Sequence, residues 1–221
     1  YFTAGDLVGV AGAVPSGRYG ALVRIDGDYV TVQNLYIRNS AGEGLDLANA
    51  AVGRANHHHA IIENIEIYYT VGTCTTLERN THTNIIRNNE FHGCDWGWYN
   101  GDITPTGWPA CNAASISDKN LYENNFIHEC FGEGIAFIKS DYNIVRSNVF
   151  ASIRSAGIYF DNGSYNVAEY NIIIGDPGET LYFNVSAGYS GGLVIAVEDY
   201  TGAEDAVGNV FRNNLTAYNK Y

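Results

Sequence analysis

Hydrophobic and polar residues alternate over short stretches of this chain, and one such stretch keeps returning. Residues 84–91 read NIIRNNEF, 120–127 NLYENNFI, 143–150 NIVRSNVF, 166–173 NVAEYNII and 209–216 NVFRNNLT. Aligned on the charged member, one column holds Gln33, Glu63, Arg87, Glu123, Arg146, Glu169 and Arg212. Just before it stand Val32, Ile62, Ile86, Tyr122, Val145, Ala168 and Phe211. Four positions after it come Ile37, Ile67, Phe91, Ile127, Phe150, Ile173 and Thr216. A period of two is that of a strand, whose side chains point to opposite faces, and not that of a helix.

The charge column recurs after 30, 24, 36, 23, 23 and 43 residues. A basic period near 23 lengthened by three insertions predicts a solenoid, each repeat contributing one rung. Parallel stacking sets equivalent residues about 4.8 Å apart, so like charges there repel and opposite charges attract. From Glu63 to Arg212 the sign alternates without a break, which predicts that neighbouring rungs pair in register. Two positions after the charge, Asn89, Asn125, Asn148, Asn171 and Asn214 follow Leu35 and Ile65. Asn tolerates turn backbone angles and carries both a donor and an acceptor, so a hydrogen-bonded ladder at a turn is expected.

A second strand precedes each phrase, in GEGLDL, CTTLER, GEGIAFIKS, SAGIYFDN and SGGLVIAV. Gly42, Gly44, Gly132, Gly134, Gly157 and Gly192 suit a corner with close backbone approach or special angles. A third short strand lies at the Ile37/Phe150 column. Three strands per turn of about 23 residues is the geometry of a parallel β-helix. The fold class predicted is all-β, a single-stranded solenoid of about seven to eight rungs. Residues 1–221 form one domain with insertions near 48–57, 95–110 and 176–191, an entering strand near ALVRID and another within YFTAGDLVGVAGAV.

The phrases NIVRSNVF and GEGIAFIKS…SAGIYFDN resemble the right-handed parallel β-helix repeat of pectate-lyase-like secreted proteins, over about residues 20–221. That repeat serves lyases, hydrolases, epimerases, phage tailspikes and adhesins, so the resemblance is specific for fold and weak for function. It implies, for a lyase, chemistry on an outward strand face, with Lys or Arg as base and Asp-bound Ca²⁺. The counterparts here are Arg79, Lys139, Asp46, Asp141 and Asp161, scattered over several rungs. They assemble no catalytic constellation in sequence, and the chain reads first as a non-enzyme.

Composition agrees with strands and tight turns: 25 Gly, 4 Pro and 13% aromatic residues, 17 of them Tyr. The net charge of −12 excludes a nucleic-acid binder, which needs a basic face. An acidic polysaccharide would need a local cationic groove or bridging Ca²⁺. The longest apolar runs are too short to span a membrane. A start at Tyr1, with no Met anywhere, reads as a mature, processed segment of a secreted or cell-surface protein.

Four Cys fall into the same frame. Cys94 and Cys130 share one column on adjacent rungs, and Cys74 and Cys111 lie on those same two rungs. This predicts disulfides Cys94–Cys130 and Cys74–Cys111, with four buried thiols as the alternative. The insertion DWGWYNGDITPTGWPA carries all three Trp residues. Trp96, Trp98, Tyr99 and Trp108 suit stacking on sugar rings, or else folding over the outward apolar column of Ile61, Ile85, Leu121 and Ile144. His57 and His59 read as a polar turn, and His92 and His128 as a surface ladder on neighbouring rungs.

Two functions follow. The apolar column Thr31, Ile61, Ile85, Leu121, Ile144, Val167 and Val210, together with ends that carry no evident cap, predicts self-association end to end into a filament or multimer. The fold resemblance and the Trp-rich insertion predict instead a carbohydrate-binding or polysaccharide-cleaving β-helix domain, of which this chain is a fragment. No cofactor is specified, Ca²⁺ being only what the resemblance implies.

Overall fold

The structure, a computed structural model, describes residues 7–8, 20–47, 57–95, 109–175, 191–198 and 205–218. Among them, 22 short strands form three parallel sheets. Sheet B contains Val23–Ile25, Leu45–Leu47, Thr75–Glu78, Ala110–Ser115, Glu133–Ile138, Ile158–Asp161 and Leu193–Ala196. Sheet C contains Thr31–Gln33, Ile61–Glu63, Ile85–Arg87, Leu121–Glu123, Ile144–Arg146, Val167–Glu169 and Val210–Arg212. Sheet A contains Leu7–Val8, Tyr36–Arg38, Glu66–Tyr68, Glu90–His92, Phe126–His128, Val149–Ala151, Ile172–Ile174 and Leu215–Ala217. The chain passes B, then C, then A in every rung, and each strand pairs with its equivalent one rung away. This is a parallel β-helix of seven rungs, with Leu7–Val8 pairing onto Ile37–Arg38 ahead of the first.

The columns legible in the sequence are the registers of the sheets. Glu63 pairs with Arg87, Glu123 with both Arg87 and Arg146, and Glu169 with both Arg146 and Arg212. Arg87 and Arg212 reach the preceding Glu at 2.7 Å and Arg146 reaches Glu123 at 2.6 Å. Inside, Ile37, Ile67, Phe91, Ile127 and Phe150 of sheet A meet Ile62, Ile86, Tyr122 and Val145 of sheet C, all without solvent contact. Burying stacked aliphatic and aromatic side chains in this way supplies the main driving force for folding.

The corner between sheets C and A takes two residues. The first adopts the left-handed conformation at Asn34, Asn64, Asn88, Asn124, Ser147, Tyr170 and Asn213, with φ between 52° and 57°. The second is Leu35 or Ile65 in the first two rungs and the Asn of the ladder from Asn89 on, so the ladder Asn does not itself carry the turn angle that the sequence suggested. Its side chain spans rungs. Asn148 Oδ1 accepts from the Asn125 amide at 2.8 Å and from Asn125 Nδ2 at 3.0 Å, while Asn148 Nδ2 donates to the Tyr122 carbonyl at 3.0 Å. A second ladder, Asn84, Asn120, Asn143, Asn166 and Asn209, does the same at the corner between B and C.

Glycine serves close approach at the start of sheet B. A Cβ on Gly134 would lie 2.6 Å from the Gly157 carbonyl oxygen and 2.7 Å from the Phe150 ring. Beside this corner the disulfides depart from expectation. They join Cys74 to Cys94 and Cys111 to Cys130, each with a Cα separation of 5.6 Å. Cys74 and Cys111 are indeed rung neighbours, since the Cys74 amide donates to the Cys111 carbonyl at 2.8 Å. Stacked side chains, however, run parallel about 4.8 Å apart, wider than the Cβ spacing of about 3.8 Å that a disulfide prefers. Side chains converging across the corner between sheets A and B meet that spacing, so the bonds form within rungs.

Candidate functional site

Sheet B has a sheltered outer face. Leu47, Leu77, Phe137 and Phe160 point to the core, and between them and the inner column of Leu45, Ile135 and Ile158 runs an outward column. Its members are Arg24, Asp46, Thr76, Ala113, Ala136, Tyr159 and Val194 in register. Small residues in the middle give a flat floor, with Asp46 and Thr76 on one side of it, beyond them Arg24, and Tyr159 on the other. Asp46, Thr76 and Ala136 are buried although they face outward. The insertions near 48–57, 95–110 and 176–191 all join the chain next to a strand of this sheet or the corner leading into it.

Towards one end of this face lies a group of acids. The Tyr159 hydroxyl donates to Glu198 Oε1 at 2.6 Å. Glu198 is held in turn by Asn162, whose Oδ1 accepts from the Glu198 amide at 3.0 Å and whose Nδ2 donates to the Glu198 carbonyl at 2.9 Å. Asp161, two residues beyond Tyr159, is buried on the same side. Glu133, 6% exposed, accepts from Ser155 Oγ at 3.2 Å. Burial pushes its carboxyl up to about 8, the hydrogen bonds oppose this, and the negative charges of Glu198 and Asp161 add to it. Burial, the bond to Glu198 and the neighbouring acids all raise the Tyr159 hydroxyl.

Two further carboxyls extend the acidic surface. Asp95, buried at the root of the Trp-rich insertion, is raised well above the ordinary range by burial and then by Glu133 and Glu43, and its Oδ2 has no hydrogen-bond partner. Asp46 is raised to about 6 by burial, with Glu78 adding and Arg24 opposing. This end of the sheet therefore brings a carboxyl raised by burial, Glu133, into the field of Glu198, whose side chain accepts from a tyrosine. Such a separation of roles is what acid–base chemistry uses. The described acids do not converge as a tight group of three, and by themselves they do not form a Ca²⁺ cage.

Of the residues singled out in the sequence, Asp46 and Asp161 lie on this face, well apart from each other. Lys139 sits in the turn after Glu133–Ile138, its amide donating to the Asp161 carbonyl at 2.8 Å. Arg79 is exposed in the turn after Thr75–Glu78. Asp141 serves a corner, its carboxylate accepting from the Ser164 amide at 2.7 Å. Trp96, Trp98, Tyr99 and Trp108 lie outside the described residues. His57 pairs with Asp26 at 2.9 Å and His59 stacks on Tyr29. Glu133, Tyr159 and Glu198 were missed. The one signal for Glu133 was the tripeptide GEG, which recurs at 42–44 and 132–134 and places an acid between glycines at the same corner.

A family model described as a right-handed β-helix region matches residues 21–220. No curated protein matches the chain. Among solved structures, the enzymatically active domain of tailspike protein 2 from bacteriophage CBA120 is similar with a TM-score of 0.60 and 17% identity, covering 82% of this chain and 25% of that one. Full-length tailspike protein 2 from the Escherichia coli O157:H7 bacteriophage gives 0.55 and 13%, covering 86% and 27%. An alginate lyase from Paenibacillus sp. str. FPU-7 gives 0.51 and 16%, covering 98% and 79%. The chain thus spans about a quarter of the length of the tailspike proteins it matches. At these identities the likeness is one of fold.

Proposed function

This chain belongs to the right-handed β-helix family, and on that premise we propose that it is an extracellular domain that binds a polysaccharide along the outer face of sheet B and hydrolyses it there. The observation that carries the reading is a buried Glu133, hydrogen-bonded to Ser155 and raised by burial and by the charges of Glu198 and Asp161, at the same end of the sheet as the Tyr159–Glu198 hydrogen bond. An alginate lyase and the enzymatically active domain of a tailspike among the similar folds support polysaccharide as the ligand class. Two disulfides support an oxidising compartment.

The chemistry follows from the charge. A uronate chain would bring carboxylates against Glu43, Asp46, Asp161 and Glu198, so a neutral polysaccharide is the better substrate. Glu133 gives its proton to the glycosidic oxygen as the bond to the anomeric carbon breaks. Glu198 takes a proton from the water that adds to that carbon, and Tyr159 fixes the carboxylate that does so. Glu198 then releases its proton to solvent and Glu133 regains one from it. The test is release of reducing ends from a panel of neutral and acidic polysaccharides. Neutral chains should be cleaved, and Glu133→Gln should lower the rate at least about 100-fold while binding persists. Unsaturated products would replace hydrolysis by elimination, and equal activity of Glu133→Gln would overturn the assignment.

A second reading, end-to-end stacking, has one observation of its own. Ile195 belongs to the inward column of Leu47, Leu77 and Phe160, yet it is 42% exposed. A neighbouring copy stacked on this rung would cover it, as would further chain. Light scattering of this chain over a concentration series should show growing assemblies that Ile195→Glu prevents, and a monomer at every concentration would sink the reading.

A further inference from the structure

The outer face of sheet A holds a cluster unrelated to the acids of sheet B. His92 and His128 are register partners on adjacent rungs, and their rings stack at 4.6 Å with planes 6° apart. Glu90 lies two residues before His92 and so on the same side of its strand. Glu90 Oε1 is 3.0 Å from His128 Nε2, and Glu66 Oε1 is 3.2 Å from His92 Nε2. One ligand atom each from Glu90, His92 and His128 lies within 4.8 Å of the other two. We propose that Glu90, His92 and His128 form a binding site for a divalent transition metal, Zn²⁺ being the natural occupant, with Glu66 beside it.

The arrangement has features that a plain surface ladder does not require. Glu66 and Glu90 are directly opposed register partners, a like-charge pair that disfavours the sheet unless a cation lies between them. Glu129 adds a third carboxylate 3.8 Å from His128 Nδ1. The imidazoles are held from both sides: Tyr68 stacks on His92 at 5.0 Å and 4°, and Phe126 on His128 at 4.2 Å and 24°. Arg38 donates to the Tyr68 hydroxyl at 3.1 Å, fixing that ring. Two imidazoles with one carboxylate, partly open to solvent, suit Zn²⁺ or Cu²⁺ and not Ca²⁺ or Mg²⁺, which take oxygen ligands. The ion replaces the protons shared between imidazole and carboxylate, staples two rungs and keeps a position for water.

The site is tested on the oxidised full chain, so that no thiol competes, with Zn²⁺ alone by titration calorimetry and Co²⁺ alone by visible absorption. One equivalent should bind, and Zn²⁺ should raise the melting temperature. His128→Ala and His92→Ala should each weaken binding by at least about tenfold. His58→Ala, in the separate cluster with His59 and His82, should leave it unchanged. Should either alanine variant fail to fold, electron spin resonance of Cu²⁺ on the unaltered chain reports directly, two nitrogen ligands being expected. Absence of saturable binding, binding retained without both His92 and His128, binding lost with His58, or Cu²⁺ without nitrogen ligation would each overturn the proposal.

Discussion

Glu133 holds its proton more tightly in the folded chain than in the unfolded one, because burial penalises its charged form. The unfolded carboxyl ionises near 4.5 and the folded one near 8, so between those values the native state binds the extra proton. Stability from this group is therefore lost as pH rises from about 4.5 to about 8, opposite in sign to a salt-bridged carboxylate. Glu133→Gln should raise the melting temperature at pH 8, by up to roughly 8–16 °C since linkage there amounts to about 4 kcal/mol, and change little at pH 4.5. The same variant should lose activity, and the activity of the parent should fall as pH passes about 8. Asn148 shows the opposite kind of buried polar group, fully satisfied within its ladder. Asn148→Ala removes the acceptor of the buried Asn125 amide and a donor to the Tyr122 carbonyl, and should cost roughly 1–3 kcal/mol in a denaturant melt.

Between neighbouring strands, the alternating charge ladder gives a sharp test of register. Arg146 is bonded to Glu123 and lies opposite Glu169 on its other side. Arg146→Glu sets three carboxylates in succession and should destabilise by about 1–2 kcal/mol at low salt, with the loss shrinking in high salt. Registers in sheet C were legible because its strands carry an apolar residue inward and, from Glu63 to Arg212, a charged one outward, and that alternation cannot slip by one; sheet A follows four positions on in the same phrase. Sheet B was harder. Its strands read Leu45–Leu47 or Glu133–Ile138 with nearly every position buried, so alternation gives no phase. That is why Glu133 and Tyr159 escaped notice while Asp46 and Asp161 were only scattered candidates. The second Asn ladder was legible and passed over: Asn84, Asn120, Asn143, Asn166 and Asn209 begin each repeated phrase, at the other corner of the rung.

In a solenoid each rung contacts only its neighbours, so a local staple protects the rungs it joins and little else. Both disulfides act on the corner between sheets A and B, in the third and fourth rungs, on either side of the insertion at 96–108. They close loops of 20 and 19 residues in sequence. A loop of that size removes enough unfolded-chain entropy to contribute about 3 kcal/mol, if the bond fits without distortion. Replacing Cys74 and Cys94 together by Ser should lower the melting temperature by roughly 6–12 °C, and replacing Cys111 and Cys130 should act similarly. Peptide mapping without reductant should return Cys74 joined to Cys94 and Cys111 joined to Cys130. Recovery of Cys74 with Cys111 instead would mean that the bonds run between rungs, and that the corner between sheets A and B is wider than described.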